Sequence, residues 1–392
     1  MGYPKIYLVL DNCFAIKRWV KPEDWMRVTR EIGFSYVEAS TDNEADPLFA
    51  PPTYFEDWVL KVKELQDATG VRVKNFFTGY QTYRTAGLAH PDERVREKLY
   101  REWLLPLVGH ASRLKAGIGF SFFAFPDQVL QDPAGYEHTM NTVLSIMSRL
   151  VTHAWEEGPV PISVEQMYAP HQPPWTIQGS REFLKSLHAR AGKPCYITID
   201  VGHQVGQKKF VRPAPDDIER NLKAFRYGRW VENMWLGPDS AYKLFFEGVG
   251  QPEFRDRDTV SAVNAEMDRC PYLFAREEDG DTYRWLEELA CHSPIIHMQQ
   301  NNGVSSHHAP FTEANNREGI IEGKKVLEAI ARSYRKELEE GMPPRCDEIC
   351  LSFELFAANT DMSYDTIHRF QETLRYWRRF VPEDGIRLDR LL

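Results

Sequence analysis

The sequence predicts an α/β protein with the (β/α)₈ architecture of a TIM barrel. Eight short apolar runs alternate with amphipathic stretches along the 392 residues, a pattern typical of βα units that build a parallel sheet. The last four runs each carry an acidic or imidazole side chain at or near their C-terminal end. Because such barrels carry their chemistry at the C-terminal ends of the strands, we expect one domain, residues 1–392, with a site at that end.

The eight predicted strands are short and are bounded by turns. They cover residues 5–10, 35–39, 72–77, 119–125, 161–165, 196–200, 294–299 and 348–354. The amphipathic stretches, predicted as helices, cover residues 22–32, 55–69, 91–113, 136–156, 181–191, 215–227, 282–291, 317–340 and 364–380. No G-x-G-x-x-G motif follows the first strand, where the sequence reads LDNCFAIKRW, so a doubly wound dinucleotide-binding fold is disfavoured.

The connection between the sixth and seventh predicted strands is much longer than the others. Residues 206–290 include an aromatic-rich segment, RWVENMWLGPDSAYKLFFEGVGQPEF. Connections of this length in compact domains are usually functional or have structure of their own. We expect an insertion near the upper rim of the barrel, which acts as a lid, as an oligomer contact or as a surface excursion without a role.

The composition disfavours several classes of partner. The formal net charge is −9 and no Lys/Arg-rich run occurs, whereas nucleic acids and anionic membranes require a basic surface. No apolar run reaches the roughly 18 residues of a membrane span, and the N-terminal residues do not resemble a signal peptide. Six cysteines without CxxC spacing indicate reduced thiols. We expect a cytoplasmic protein that binds a small polar molecule, with homo-oligomerisation left open.

Four residues at the ends of the last four predicted strands carry the candidate chemistry. They are Glu165, Asp200, His297 and Glu354. Each follows an apolar run, and a carboxylate buried there would be costly without a cation. Three carboxylates and one imidazole suit a single divalent ion, with Mn²⁺ expected first and Mg²⁺, Co²⁺ or Zn²⁺ as alternatives. His203 lies three residues after Asp200 in the segment DVGH, a spacing that allows both to face one cleft.

With this set of residues, the chain resembles the xylose isomerase-like barrel superfamily. The resemblance is to its single-metal branch of ketose 3-epimerases, tetrulose-phosphate epimerases or racemases and related sugar-phosphate isomerases. That branch has Glu, Asp-x-x-His, His and Glu on its fifth to eighth strands. The resemblance implies that Glu165, Asp200, His297 and Glu354 hold the metal, and that His203 contacts a substrate oxygen. It also implies that the two glutamates act as acid and base.

The sequence departs from the epimerase pattern after the seventh strand. Those epimerases usually place an Arg a few residues beyond the His, whereas here no Arg occurs between His297 and Arg317. The polar segment in between, QQNNGVSSHH, supplies Gln300, His307 and His308 as replacement substrate contacts. Further polar or aromatic residues within or after the predicted strands are candidates for lining the pocket: Asn12, Lys17, Arg18, Glu38, Lys74, Asn75 and Trp175.

The predicted activity is proton transfer on a short-chain ketose or its phosphate through an enediolate. A divalent ion stabilises the developing charge, while Glu165 and Glu354 remove and return the proton. Return to the same carbon gives an epimerase or racemase, and return to the neighbouring carbon gives an aldose–ketose isomerase; the sequence leaves this open. Alternatives are a polyol dehydratase of the same superfamily and a non-catalytic sugar-binding barrel. A DNA endonuclease on this barrel is disfavoured by the net charge of −9.

Overall fold

Eight parallel strands form a nearly closed barrel. The structure is a computed structural model that describes residues 2–79, 85–229 and 234–392. The strands are β1 (Lys5–Asp11), β2 (Tyr36–Ser40), β3 (Arg72–Thr78), β4 (Gly117–Phe120), β5 (Ser163–Glu165), β6 (Tyr196–Asp200), β7 (Ile295–Met298) and β8 (Glu348–Phe353). They neighbour one another in the order β4-β3-β2-β1-β8-β7-β6-β5. A parallel bridge between Ile118 and Ile162 brings β4 beside β5, so the predicted fold class is confirmed.

Helices occupy the connections between these strands. They are α1 (Pro22–Ile32), α2 (Thr41–Glu44), α3 (Pro52–Thr69), α4 (Glu93–Leu99), α5 (Leu105–Leu114), α6 (Asp127–Leu130), α7 (Pro133–Glu157), α8 (Ile177–Ala191), α9 (Gln204–Gln207), α10 (Pro215–Arg226), α11 (Asp239–Val249), α12 (Asp256–Arg269), α13 (Thr282–Leu289), α14 (Glu313–Glu318), α15 (Gly323–Arg335) and α16 (Ser363–Trp377). Many begin at Pro in the first turn or at an Asp or Thr cap, as helix starts commonly do. Within the described ranges, none of these helices is both long and apolar enough to cross a membrane.

Three predicted elements differ from the structure. The helix predicted at 91–113 is interrupted by a π-helical turn, Tyr100–Leu104, between α4 and α5. The helix predicted at 317–340 is two helices, α14 and α15, because Gly319 has an extended backbone that ends the first. The strand predicted at 119–125 ends at Phe120. A short ninth strand, β9 (Ile386–Arg387), pairs antiparallel with β1 and was too short to be predicted.

Three of the helices in the long connection after β6 share an apolar cluster that is separate from the main core. Helices α10, α11 and α12 share this cluster, whose buried members are Ile218, Leu222, Leu236, Ala241, Phe245, Val260, Val263 and Met267. Residues 230–233 of the predicted insertion lie outside the described residues. The connection thus has structure of its own, and its action as a lid or an oligomer contact stays a prediction.

Successive side chains of a strand point to opposite faces of the sheet, here towards the helices or into the barrel. In β1, Ile6 and Leu8 belong to the main apolar cluster, in which the sheet packs against the helices. Tyr7 and Val9 belong to a separate cluster with residues of β7 and β8, inside the barrel. Asp11 continues the inward series and ends β1, so the same alternation that fills the interior also places polar side chains at its C-terminal end.

Candidate metal centre and substrate cavity

Four buried side chains meet at the C-terminal end of the barrel. Glu165 ends β5, Asp200 ends β6, His297 lies in β7 and Glu354 directly follows β8. Each offers one ligand atom, and these atoms all lie within 4.8 Å of one another. The structure therefore brings together the four residues that the sequence predicts as a metal-binding set, which we call the quartet.

The imidazole of His297 contacts two other members of the quartet. Its Nδ1 is 2.8 Å from Oε1 of Glu165 and 3.6 Å from Oε2 of Glu354. Oε2 of Glu165 is buried and has no hydrogen-bond partner among the described residues. A buried carboxylate oxygen without a donor is costly, and a cation among these side chains would compensate it. The quartet therefore fits a bound cation.

The electrostatics of the quartet also favour a cation. Burial raises the pKa of Glu165 and holds the pKa of Glu354 well above its usual range, against the positive charge of His297. Burial opposes ionisation of Asp200 too, but the neighbouring imidazoles, with His203 first among them, outweigh it and lower its pKa. Three carboxylates in one dry space repel when ionised. Hard oxygen ligands with one imidazole suit Mn²⁺, Mg²⁺ or Co²⁺, and also catalytic Zn²⁺.

A cavity of about 1670 Å³ opens above the quartet. Glu165 and Glu354 line it, whereas Asp200 and His297 are not among its lining residues. One wall is apolar, where the rings of Phe77 and Phe120 stack with centroids 4.1 Å apart. The two glutamates thus combine metal-ligand positions with access to a molecule in the cavity.

Three of the four predicted substrate contacts line this cavity. They are His203, His307 and His308. Nδ1 of His203 is 2.7 Å from the carbonyl oxygen of Gln166, which fixes the orientation of the ring. The fourth, Gln300, is buried outside the cavity, where its side-chain amide contacts Asn316 and the backbone of residue 321. Gln300 therefore holds the chain after β7 in place, and its contact with substrate stays a prediction.

The further pocket candidates are mostly placed elsewhere. Lys17 lines the cavity, whereas the following do not: Asn12, Arg18, Glu38, Lys74, Asn75 and Trp175. Lys74 pairs with Glu348 at 2.8 Å and lies 3.9 Å from the centre of the Tyr7 ring, near the N-terminal end of the barrel. Arg18 donates to the backbone carbonyls of residues 358 and 361. Position along the strand, which sequence patterns fix poorly, decides the case of Lys74.

Two polar residues at the site were not predicted. Gln299, the residue after β7, donates to both carboxylate oxygens of Asp200. Asp11, at the end of β1, lies with Glu38 and His297 in a second group whose candidate ligand atoms are within 4.8 Å of one another. The polar run QQNN was a signal for Gln299. For Asp11 the only signal in the sequence was weak, an Asp directly after the first predicted strand. Its neighbours in the structure, Glu38 and His297, are distant in the sequence.

Fold and site together define a TIM barrel with a candidate metal centre at the C-terminal end of its strands. The chain is 28% identical over 378 residues to D-erythrulose 1-phosphate 3-epimerase of Brucella abortus (strain 2308), with 94% of each chain covered. The chain is thus similar to the xylose isomerase-like TIM-barrel sugar epimerases and isomerases, which confirms the predicted resemblance and is consistent with an isomerase-type enzyme.

Solved structures show the same fold at low sequence identity. A provisionally assigned xylose isomerase from Rhodospirillum rubrum ATCC 11170 superposes with a TM-score of 0.67 at 14% identity, covering 95% of this chain and 99% of the other. D-psicose 3-epimerase from Clostridium cellulolyticum H10, solved with D-tagatose, gives a TM-score of 0.54 at 12% identity, with 96% and 98% covered. A scan against protein-family models gives no match.

Proposed function

We propose that this chain is a divalent-metal-dependent epimerase of a short-chain ketose phosphate, with Glu165 and Glu354 as its acid/base pair. One observation carries the proposal: both glutamates line the cavity while their carboxylates belong to the buried quartet. A substrate carbon seated above the quartet is therefore within reach of two carboxyl groups.

The residues divide the chemistry between them. Glu165, Asp200, His297 and Glu354 would hold the ion, which when bound supplies Lewis-acid stabilisation of negative charge on a substrate oxygen. Glu165 and Glu354 come from strands on different sides of β6 and β7, so they approach the cavity from different directions. One carboxylate takes the proton next to the carbonyl, and the other carboxylic acid returns a proton to the opposite face.

Two lysines support a phosphorylated substrate. Lys17 and Lys209 line the cavity, and neither forms an ion pair with a carboxylate in the part of the chain that the structure describes. Arg369, which also lines the cavity, is paired with Asp361 at 2.9 Å. Unpaired cations at a cavity wall attract a phosphate. The relative from Brucella abortus acts, by its name, on a four-carbon ketose 1-phosphate, which is consistent with this substrate class.

The test is proton exchange in deuterated water. Mn²⁺-loaded protein would be incubated with tetrulose, pentulose and hexulose substrates, free and phosphorylated, and the products analysed by NMR. Inversion with deuterium entering at C3 of a ketose phosphate supports the proposal. Aldose formation identifies an isomerase, water loss identifies a dehydratase, and absence of exchange with every substrate contradicts enzymatic proton transfer.

Variants test which residues the proton exchange requires. Glu165→Gln and Glu354→Gln should each abolish exchange with an intact circular dichroism spectrum, whereas Glu182→Gln, at an exposed position of α8, should exchange normally. Lys17→Ala and Lys209→Ala should lower kcat/KM for the phosphorylated ketose more than for the free ketose. The exposed Lys63→Ala is the matched control.

A further inference from the structure

Glu38 lies directly behind the only imidazole of the quartet. It is in β2, is fully buried, and is not among the residues that line the cavity. Its Oε2 is 3.1 Å from Nε2 of His297, on the side of the ring opposite to Nδ1, which faces Glu165 and Glu354. Glu38 is thus out of reach of a sugar in the cavity but in contact with a candidate metal ligand.

The carboxylate of Glu38 is fixed from several directions. Oε1 accepts a hydrogen bond from Nδ2 of Asn75 at 2.6 Å, and Oε2 accepts one from the hydroxyl of Ser352. Asn75 lies in β3, which pairs with β2, and Ser352 lies in β8, which pairs with β1 on the other side of β2. With donors on both oxygens, the carboxylate cannot turn without losing a buried hydrogen bond, which is costly.

We propose that Glu38 is a positioning residue for the metal site: it accepts the Nε2–H of His297 and thereby directs the lone pair of Nδ1 towards the ion. A neutral imidazole has one nitrogen that donates and one that accepts, so a strong acceptor at Nε2 selects the tautomer with a free Nδ1. Carboxylates behind metal-bound histidines orient the ring and raise its basicity. The inference rests on the proposed metal site and names its supporting residue.

Asp11 offers a competing explanation of the same geometry. Its Oδ2 is buried without a hydrogen-bond partner among the described residues, and Asp11, Glu38 and His297 could themselves surround a cation. In that case Nε2 would be a ligand of a second ion and Glu38 would be its companion ligand. The two explanations differ in the number of ions per chain and in the nitrogen that carries the proton.

Metal binding measured without substrate tests the proposal. Competition with a chromophoric chelator would give the stoichiometry and affinity for Mn²⁺ and Zn²⁺. We expect one ion per chain, and about 10–100-fold weaker binding in Glu38→Gln, because Gln offers one acceptor oxygen where three donors converge. Glu348→Gln, a glutamate at the other end of the barrel paired with Lys74, is the matched control and should bind within twofold of wild type.

A measurement on the unaltered protein guards against a variant that fails to fold. In ¹⁵N-histidine NMR of the zinc-loaded wild-type protein, the ring signals of His297 are assigned as those that disappear in His297→Gln. In the wild-type spectrum these signals should show a protonated Nε2 and a metal-bound Nδ1. A metal-bound Nε2, two ions per chain, or unchanged affinity in folded Glu38→Gln would overturn the role of Glu38 and leave the epimerase proposal standing. Wild-type protein that binds no divalent ion would overturn both.

Discussion

Gln299 donates a hydrogen bond to each carboxylate oxygen of Asp200, at 2.9 and 3.1 Å. The carbonyl oxygen of the same side chain accepts from the backbone nitrogen of His308 at 2.8 Å and from the hydroxyl of Ser306 at 2.9 Å. One amide thus joins a candidate metal ligand to the loop that carries candidate substrate contacts. The orientation of the ligand and the position of the loop are therefore coupled.

Replacement of this amide should impair metal binding and turnover together. In Gln299→Leu, Asp200 loses two donors and the loop loses its anchor, so we expect kcat/KM and metal affinity each to fall by about 10–100-fold. Steady-state kinetics and chelator competition measure the two quantities. Gln178→Leu, at an exposed glutamine of α8, is the control and should change neither. Wild-type values in both assays for Gln299→Leu would refute the coupling.

Addition of a divalent ion should stabilise the fold, because it relieves repulsion among Glu165, Asp200 and Glu354. At a concentration of about 100 times Kd the gain is about 2.7 kcal/mol, which for a chain of this length raises Tm by roughly 3 °C. Differential scanning calorimetry of EDTA-treated protein with and without Mn²⁺ measures the shift. Asp200→Ala should remove it, and an identical shift in that variant would place the ion elsewhere.

The close approach of two chain segments at Gly79 should be essential for stability. Gly79 has φ +108°, and a Cβ there would lie 1.7 Å from the carbonyl oxygen of Ser121, beside Phe120 of the cavity wall. We expect Gly79→Ala to lower the free energy of unfolding by more than about 3 kcal/mol. Gly192→Ala, at φ +62° with no atom of the described residues within 4 Å of the added Cβ, should cost about 1–2 kcal/mol. Urea unfolding distinguishes the two, and equal costs would contradict the contact.

The quartet could be predicted because each member stands at the end of a recognisable strand. Gln299 and Gln300 face different partners: the side chain of Gln299 contacts Asp200, whereas that of Gln300 contacts the backbone of residue 321. In a run of amides the sequence does not fix which side chain turns which way. Likewise, Lys74 is on a correctly predicted strand but too near its N-terminal end to reach the cavity. The pairing of Glu38 with His297 joins β2 to β7, a relationship that depends on the closed barrel.

His292 should make the stability of the protein fall in acid. It lies buried between α13 and β7, its Nδ1 has no hydrogen-bond partner in the described chain, and burial, aided by the charge of Arg345, lowers its pKa to about 4. In the unfolded chain the pKa is about 6.5. Between these values the unfolded state binds more protons, so the free energy of unfolding falls as pH drops from 6.5 to 4, by roughly 3 kcal/mol.

Urea unfolding at pH 7 and at pH 4.5 measures this contribution when wild type is compared with His292→Gln, because Gln cannot take up a proton. Most of the difference in pH dependence between the two proteins should appear within this interval. The exposed His138→Gln is the matched control, and its pH dependence should follow wild type. If His292→Gln loses as much stability in acid as wild type does, then His292 is protonated in the folded protein and its burial does not exclude the charge.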